Sequence, residues 1–193
     1  EGHHVVFATH HPLITAGPHG GHFTWRQHLF PLQDFVPWLW LPLPVIGSLY
    51  PLSRQLGVTG TDVTSEPYQR FITAIYRAAT PRAPMAIVAG HEHSLQVHQD
   101  GLGLYYLVSG AGSAKKVNRV EKEKGFREGW LKVAAALPGY MRLDAYADGS
   151  LGATVFALDV DVFPLDVLDG EELRRPIYRT CLADGPPKRP QLR

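Results

Sequence analysis

An α/β fold is what the sequence predicts, and three observations predict it. Two short β-branched apolar runs, "HVVFAT" (4–9) and "MAIVAG" (85–90), have the composition of strands covered on both faces. Between them, "SEPYQRFITAIYRAAT" (65–80) carries apolar residues at helical spacing. Strand, helix, strand is the crossover unit that parallel pairing requires. A third apolar run, "LYYLVSG" (104–110), extends the same pattern.

Taken in order, each element has a local reason. The strand at 4–9 ends at "THHP", where the chain must turn. Residues 35–52, "FVPWLWLPLPVIGSLYPL", follow without a single charge. Their length suits a membrane span, but prolines at 37, 42, 44 and 51 remove donors and break a spanning helix. The segment is expected to form an irregular, buried excursion packed on the domain, with a membrane-facing lid as the second reading. In the helix at 65–80, Ser65 can cap, Pro67 suits the first turn, and Phe71, Ile72, Ile75 and Tyr76 make one apolar stripe. After the strand at 104–109, "SGAGS" reads as a tight turn supporting the site. It lacks the Lys of a phosphate-binding loop. The mixed charges of 113–128 read as a solvated loop or helix face. "GYMRLDAYADGSLGATVFAL" (139–158) places two apolar stretches around Asp148-Gly149, a hairpin signal. From about Pro164, prolines and charges take over, so 1–160 reads as the domain and 161–193 as a tail or linker.

Composition excludes some functions. With 19 Lys plus Arg against 18 Asp plus Glu, no phosphate-neutralising surface dominates, and nucleic-acid binding is not expected. Cys181 is the single cysteine, so no internal disulfide forms. The chain opens at Glu1 and enters a strand almost at once, which reads as a start downstream of the true N-terminus.

The candidate site lies in the histidines. Ten are present, and His10, His11, His19 and His22 fall within residues 9–22. His10 follows the first strand, while His91 and His93 follow the second in "VAGHEHSLQ". Adjacent strand ends are where open α/β sheets bind ligands. Neutral imidazole is a common ligand for Zn, Fe and Mn. An extended chain would send His91 and His93 to opposite faces. Gly90 permits a turn that brings both to one site.

"HHP" after one strand and "GHEH" after a later one resemble the C-terminal half of calcineurin-like metallophosphoesterases, over roughly residues 3–158. "GPHGG", "HLFPL" and "PLPVIGSLYPL" look like a bacterial subgroup of that superfamily. The resemblance implies an α/β fold that is the second half of a four-layer α/β/β/α sandwich. It implies hydrolysis of a phosphate mono- or diester by water activated between two divalent ions, Mn, Fe or Zn. By resemblance His10 and His91 would hold one ion and His93 its neighbour. His11, His19 and His22 would be catalytic candidates near the leaving group, and Glu92 would be structural. The resembling bacterial proteins are often exported, which favours an exported or periplasmic location.

The sequence also departs from that family. Its "DxH", "GDxxD" and "GNH" motifs are missing, and the sole asparagine, Asn118, lies in "KVNRV". Without the bridging carboxylate, this chain alone is expected to be inactive. The alternative is a non-catalytic half-domain, acting as a metal-binding or membrane-associated interaction module through 35–52.

Overall fold

The computed structural model describes residues 3–36, 38–112, 117–118, 120, 129–158 and 174–183. In chain order these form β1 (Val6–Ala8), α1 (Trp25–Leu29), α2 (Leu49–Gln55), α3 (Glu66–Ala79), β2 (Ala86–Ala89), β3 (Leu95–Gln99) and β4 (Tyr105–Ser109). They continue with β5 (Leu131–Ala135), β6 (Gly139–Ala145), β7 (Leu151–Leu158) and β8 (Arg174–Ala183).

The fold is mixed α/β. One sheet has the order β1-β2-β4-β3-β5, and a smaller antiparallel sheet has the order β6-β7-β8. β1, β2 and β4 are parallel, as the crossover through α3 requires. β3 runs antiparallel to both β4 and β5.

The alternation of strand side chains divides the core in two. Ala86, Leu95, Val97, Tyr105 and Leu107 pack with Leu151, Ala153, Val155, Ala157 and Leu182 of the smaller sheet. Ile87 and Tyr106 face the other way and meet Tyr68 and Ile72 of α3, with Leu13, Ile14 and Val63. The apolar stripe of α3 therefore covers the larger sheet as its spacing predicts. Pro67 occupies the first turn as expected, but the Ser65 hydroxyl donates to Gly60 O at 3.1 Å instead of capping. The described residues give one helix layer and two packed sheets. A second helix layer, outside the smaller sheet, is not among them.

Three differences from the sequence expectations have physical reasons. β3 alternates Leu95 and Val97 with Gln96 and His98, yet all four are buried, because residues 15–17 lie over its polar face. β8 falls in the segment expected to be a tail, where it pairs along β7. Most of 113–128 lies outside the described residues. The excursion at 35–52 is irregular, as its prolines demand, but it is not buried. Trp38 is 77% exposed and Val45 86%, and Ile46 and Leu49 are also exposed. Among the described residues no helix is long and apolar enough to cross a membrane.

Candidate metal centre

The path of the chain from β2 to β3 builds the site. β4 lies between those two strands, so residues 90–94 must cross the end of β4. They do so in close quarters: a Cβ on Gly110, just past β4, would stand 2.0 Å from Glu92 O. This is the physical content of the glycine in "SGAGS". The crossing is folded tightly, with Glu92 N–H donating to Gly90 O (2.7 Å) and Ser94 N–H to Glu92 O (2.8 Å). His91 takes a left-handed backbone, φ +61°, to make the bend. Gly90 N–H donates to His10 O (3.1 Å), which ties the ends of β1 and β2 together.

The bend brings His91 among three other imidazoles. Its ring centroid lies 4.3 Å from that of His11, 5.2 Å from His10 and 4.2 Å from His19. One ligand nitrogen each from His10, His11 and His91 falls within 4.8 Å of the others. Within that limit the three nitrogens are near enough for one divalent ion to be shared among them.

The electrostatics suit a cation. Burial, then the neighbouring His19 and His11, lowers the His91 pKa to about 4, against a raising backbone hydrogen bond at Thr61. Burial and the neighbouring His10 and His19 lower His11 as well. Neutral imidazoles keep the lone pair that a metal ion takes. The Thr61 bond fixes the His91 ring, while its Nε2 is buried with no hydrogen-bond partner. A metal-bound histidine commonly has this arrangement, with one nitrogen bonded to a carbonyl and the other on the ion. The residues present therefore fit a divalent ion. No carboxylate joins the three histidines among the described residues.

His93 does not enter the cluster. It is exposed, and its carbonyl accepts from Asn118 N–H at 2.7 Å. The alternation through the bend sends Glu92 inward and His93 outward. The structure thus brings His11 to His10 and His91, where the resemblance implied His93. His19 stands beside His91, whereas His22 is half-buried and lies outside the triad. His98 is buried in β3, its Nε2 2.9 Å from Gln96 Oε1.

Behind the cluster lies a polar scaffold that sequence reasoning found only in part. Glu92 is fully buried, and its carboxylate accepts from Thr15 Oγ1 (3.2 Å), His19 N–H (3.1 Å) and Asn118 Nδ2 (2.6 Å). A Cβ on Gly17 would lie 2.3 Å from that carboxylate, so only glycine lets the loop approach. Glu92 thus ties the loop at 15–19 and Asn118 to the crossing. Asp62 and Arg54 went unrecognised. The Asp62 side chain is 0% exposed, bonds Arg54 through both nitrogens Nε and Nη2, and lies 3.1 Å from His19 Nδ1. Burial disfavours the Asp62 charge, but hydrogen bonds from Arg54 and His19 outweigh it and hold the carboxyl below its usual range. A lone Asp in "GTDVTS" and an Arg eight residues earlier give no spacing signal in the sequence.

Beyond the strand ends, a cavity of about 330 Å³ opens between the sheets, lined by Thr9, Gly90, Leu107, Ser109, Met141 and Leu143. Thr9 and Gly90 directly precede His10 and His91.

No family model matches the chain, and no curated protein matches it. Among solved structures, it is similar to GAP50, the anchor in the inner membrane complex of Plasmodium. The TM-score is 0.43 and the identity 10%, over 65% of this chain and 33% of that one. It is also similar to wild-type Vps29 from Entamoeba histolytica complexed with zinc. There the TM-score is 0.31 and the identity 19%, over 59% of this chain and 47% of that one. The chain spans less than half the length of either protein, and at this level neither likeness assigns a fold or a role.

Proposed function

We propose that the chain carries the histidine-rich part of a metal-dependent phosphoesterase site, with His10, His11 and His91 holding a divalent ion. The observation that supports it is the buried, partnerless Nε2 of His91 facing two further imidazoles at the ends of parallel strands. Held by these three histidines, a divalent ion would supply Lewis acidity toward a phosphoryl oxygen and would lower the pKa of water near it. His19, held by ionised Asp62 beside His91, is positioned to hold and deliver a proton to the departing oxygen. Arg54 keeps Asp62 charged so that it can orient the His19 ring. A second ion and its carboxylates belong to the same proposal and require ligands beyond the described cluster.

Titration with Co(II) tests the core of this reading. A tetrahedral visible spectrum at one ion per chain is expected, lost in His91→Ala and in His11→Ala. A chain that takes up no ion would end the proposal. The metal-loaded chain should then bind inorganic phosphate, and His19→Ala should weaken that binding severalfold.

The absence of a carboxylate among the three ligands favours a second reading, a non-catalytic metal-binding half-domain. Co(II) uptake with no phosphate affinity would select it. Under either reading the 193-residue chain alone is expected to hydrolyse an aryl phosphodiester no faster than buffer, and turnover lost in His91→Ala would overturn that expectation.

A further inference from the structure

The uncharged excursion at 35–52 has no place in the metal site, and its structure is peculiar. It projects Phe35, Trp38, Trp40, Leu41, Val45 and Ile46 into solvent in one continuous segment. Scattered apolar residues on a surface need no explanation, but a contiguous group of this size does. The projection is built, not frayed. Phe30 and Trp40 rings meet at 5.5 Å, Phe35 and Tyr50 at 5.5 Å, and Leu43 N–H donates to Leu29 O at 2.8 Å.

Its tip is a γ-turn. Ile46 N–H donates to Pro44 O at 2.8 Å across Val45, which is held at φ +67°, ψ −60°. A β-branched residue rarely adopts that conformation. Here it puts two aliphatic side chains at the apex, both exposed among the described residues.

We propose that this projection inserts into the headgroup region of a lipid bilayer. Two observations choose a bilayer over a protein partner. First, the backbone suits a hydrated interface: the amides of residues 35, 36, 39, 43, 46, 47 and 48 donate within the chain, prolines at 37, 42 and 44 have none to donate, and those of 38, 40, 41 and 45 have no backbone acceptor among the described residues. A closely packed protein interface would bury those four amides unpaired, whereas the headgroup region keeps water and polar oxygens that can accept from them. Second, the polarity is graded as an interface requires. Trp38 and Trp40 precede an uncharged apex, and the Arg26 guanidinium lies 4.8 Å over the Trp40 ring at the base, where anionic headgroups would meet it. Taken with the proposed function, on which this one corollary rests, lipid-borne phosphate esters become the substrate class. α2 begins within the excursion and carries Arg54 to Asp62 and His19.

The test is flotation of the 193-residue chain with vesicles of phosphatidylcholine and phosphatidylglycerol in equal parts. Co-flotation is expected, with a blue shift of tryptophan emission and quenching by brominated acyl chains. The double variant Trp38→Ser, Val45→Ser should reduce partitioning at least about tenfold while circular dichroism and Co(II) uptake stay unchanged. His91→Ala should lose Co(II) but still float, so failure of the metal reading is separable from failure of this one. No flotation, or flotation undiminished in the double variant, would overturn the inference. So would a concentration-dependent dimer dissolved by the same two changes without vesicle binding, since the patch would then belong to a second copy.

Discussion

His91 serves the site at a cost to its own backbone. A side chain at φ +61° is strained by roughly 1–2 kcal/mol, which glycine escapes. His91→Gly and His91→Ala should both abolish metal uptake, yet the glycine variant should be the more stable of the two by about 1 kcal/mol in urea denaturation. Equal stabilities would mean that the bend relaxes and does not strain His91. Asp62 makes a second prediction at this scale. Its folded pKa is depressed below the unfolded value of ~4, so its contribution is fully present above ~4 and fades as pH falls through the folded value. Asp62→Asn leaves Arg54 without its buried partner and should cost about 3 kcal/mol near neutrality. It should also flatten the acid limb, so the two proteins converge in stability as urea melts are taken from pH 7 toward pH 3. Which histidines converge was partly legible: those next to strand ends stand out in the sequence. That His11 rather than His93 would close the triad was not, because it depends on the bend that turns Glu92 inward.

Whether an element can be read from the sequence depends on how far along the chain its contacts lie. β1, β2, β4 and α3 declare themselves through local periodicity, and the structure places them as that periodicity indicates. β3 does not, because its polar face is buried by the chain near Thr15 and Ala16, some eighty positions away. No local pattern reports a partner that distant. The excursion misleads for the converse reason: apolar composition suggests burial, and only the tertiary arrangement shows it exposed among the described residues. The crossing of residues 90–94 over β4 predicts a sharp contrast between glycines. Gly110→Ala would drive a Cβ against the Glu92 carbonyl and should destabilise by about 2–3 kcal/mol. Gly101→Ala faces open space and should change stability by less than about 0.5 kcal/mol. Thermal melts of the two variants side by side decide the matter.

Across the whole molecule, the two sheets share one core, with Val155 of β7 fully buried against the larger sheet. Val155→Ala should remove about 2 kcal/mol and lower a single transition seen alike by far-ultraviolet dichroism and tryptophan emission. Two separate transitions would show that the sheets melt independently. The Glu92 and Gln96 side chains extend this cooperativity to a region that would otherwise fray. Gln96 Oε1 accepts from Ala16 N–H (2.8 Å), and Glu92 accepts from His19 N–H (3.1 Å), both inside the body of the fold. Loop amides ordinarily exchange with solvent hydrogen on their own schedule, through small local openings. These two can exchange only when the Glu92 and Gln96 side chains that hold them let go. In deuterated buffer, Ala16 and His19 should therefore keep their protons as long as the central strands do, even without metal. The histidine loop would then be lost together with the whole fold, never ahead of it.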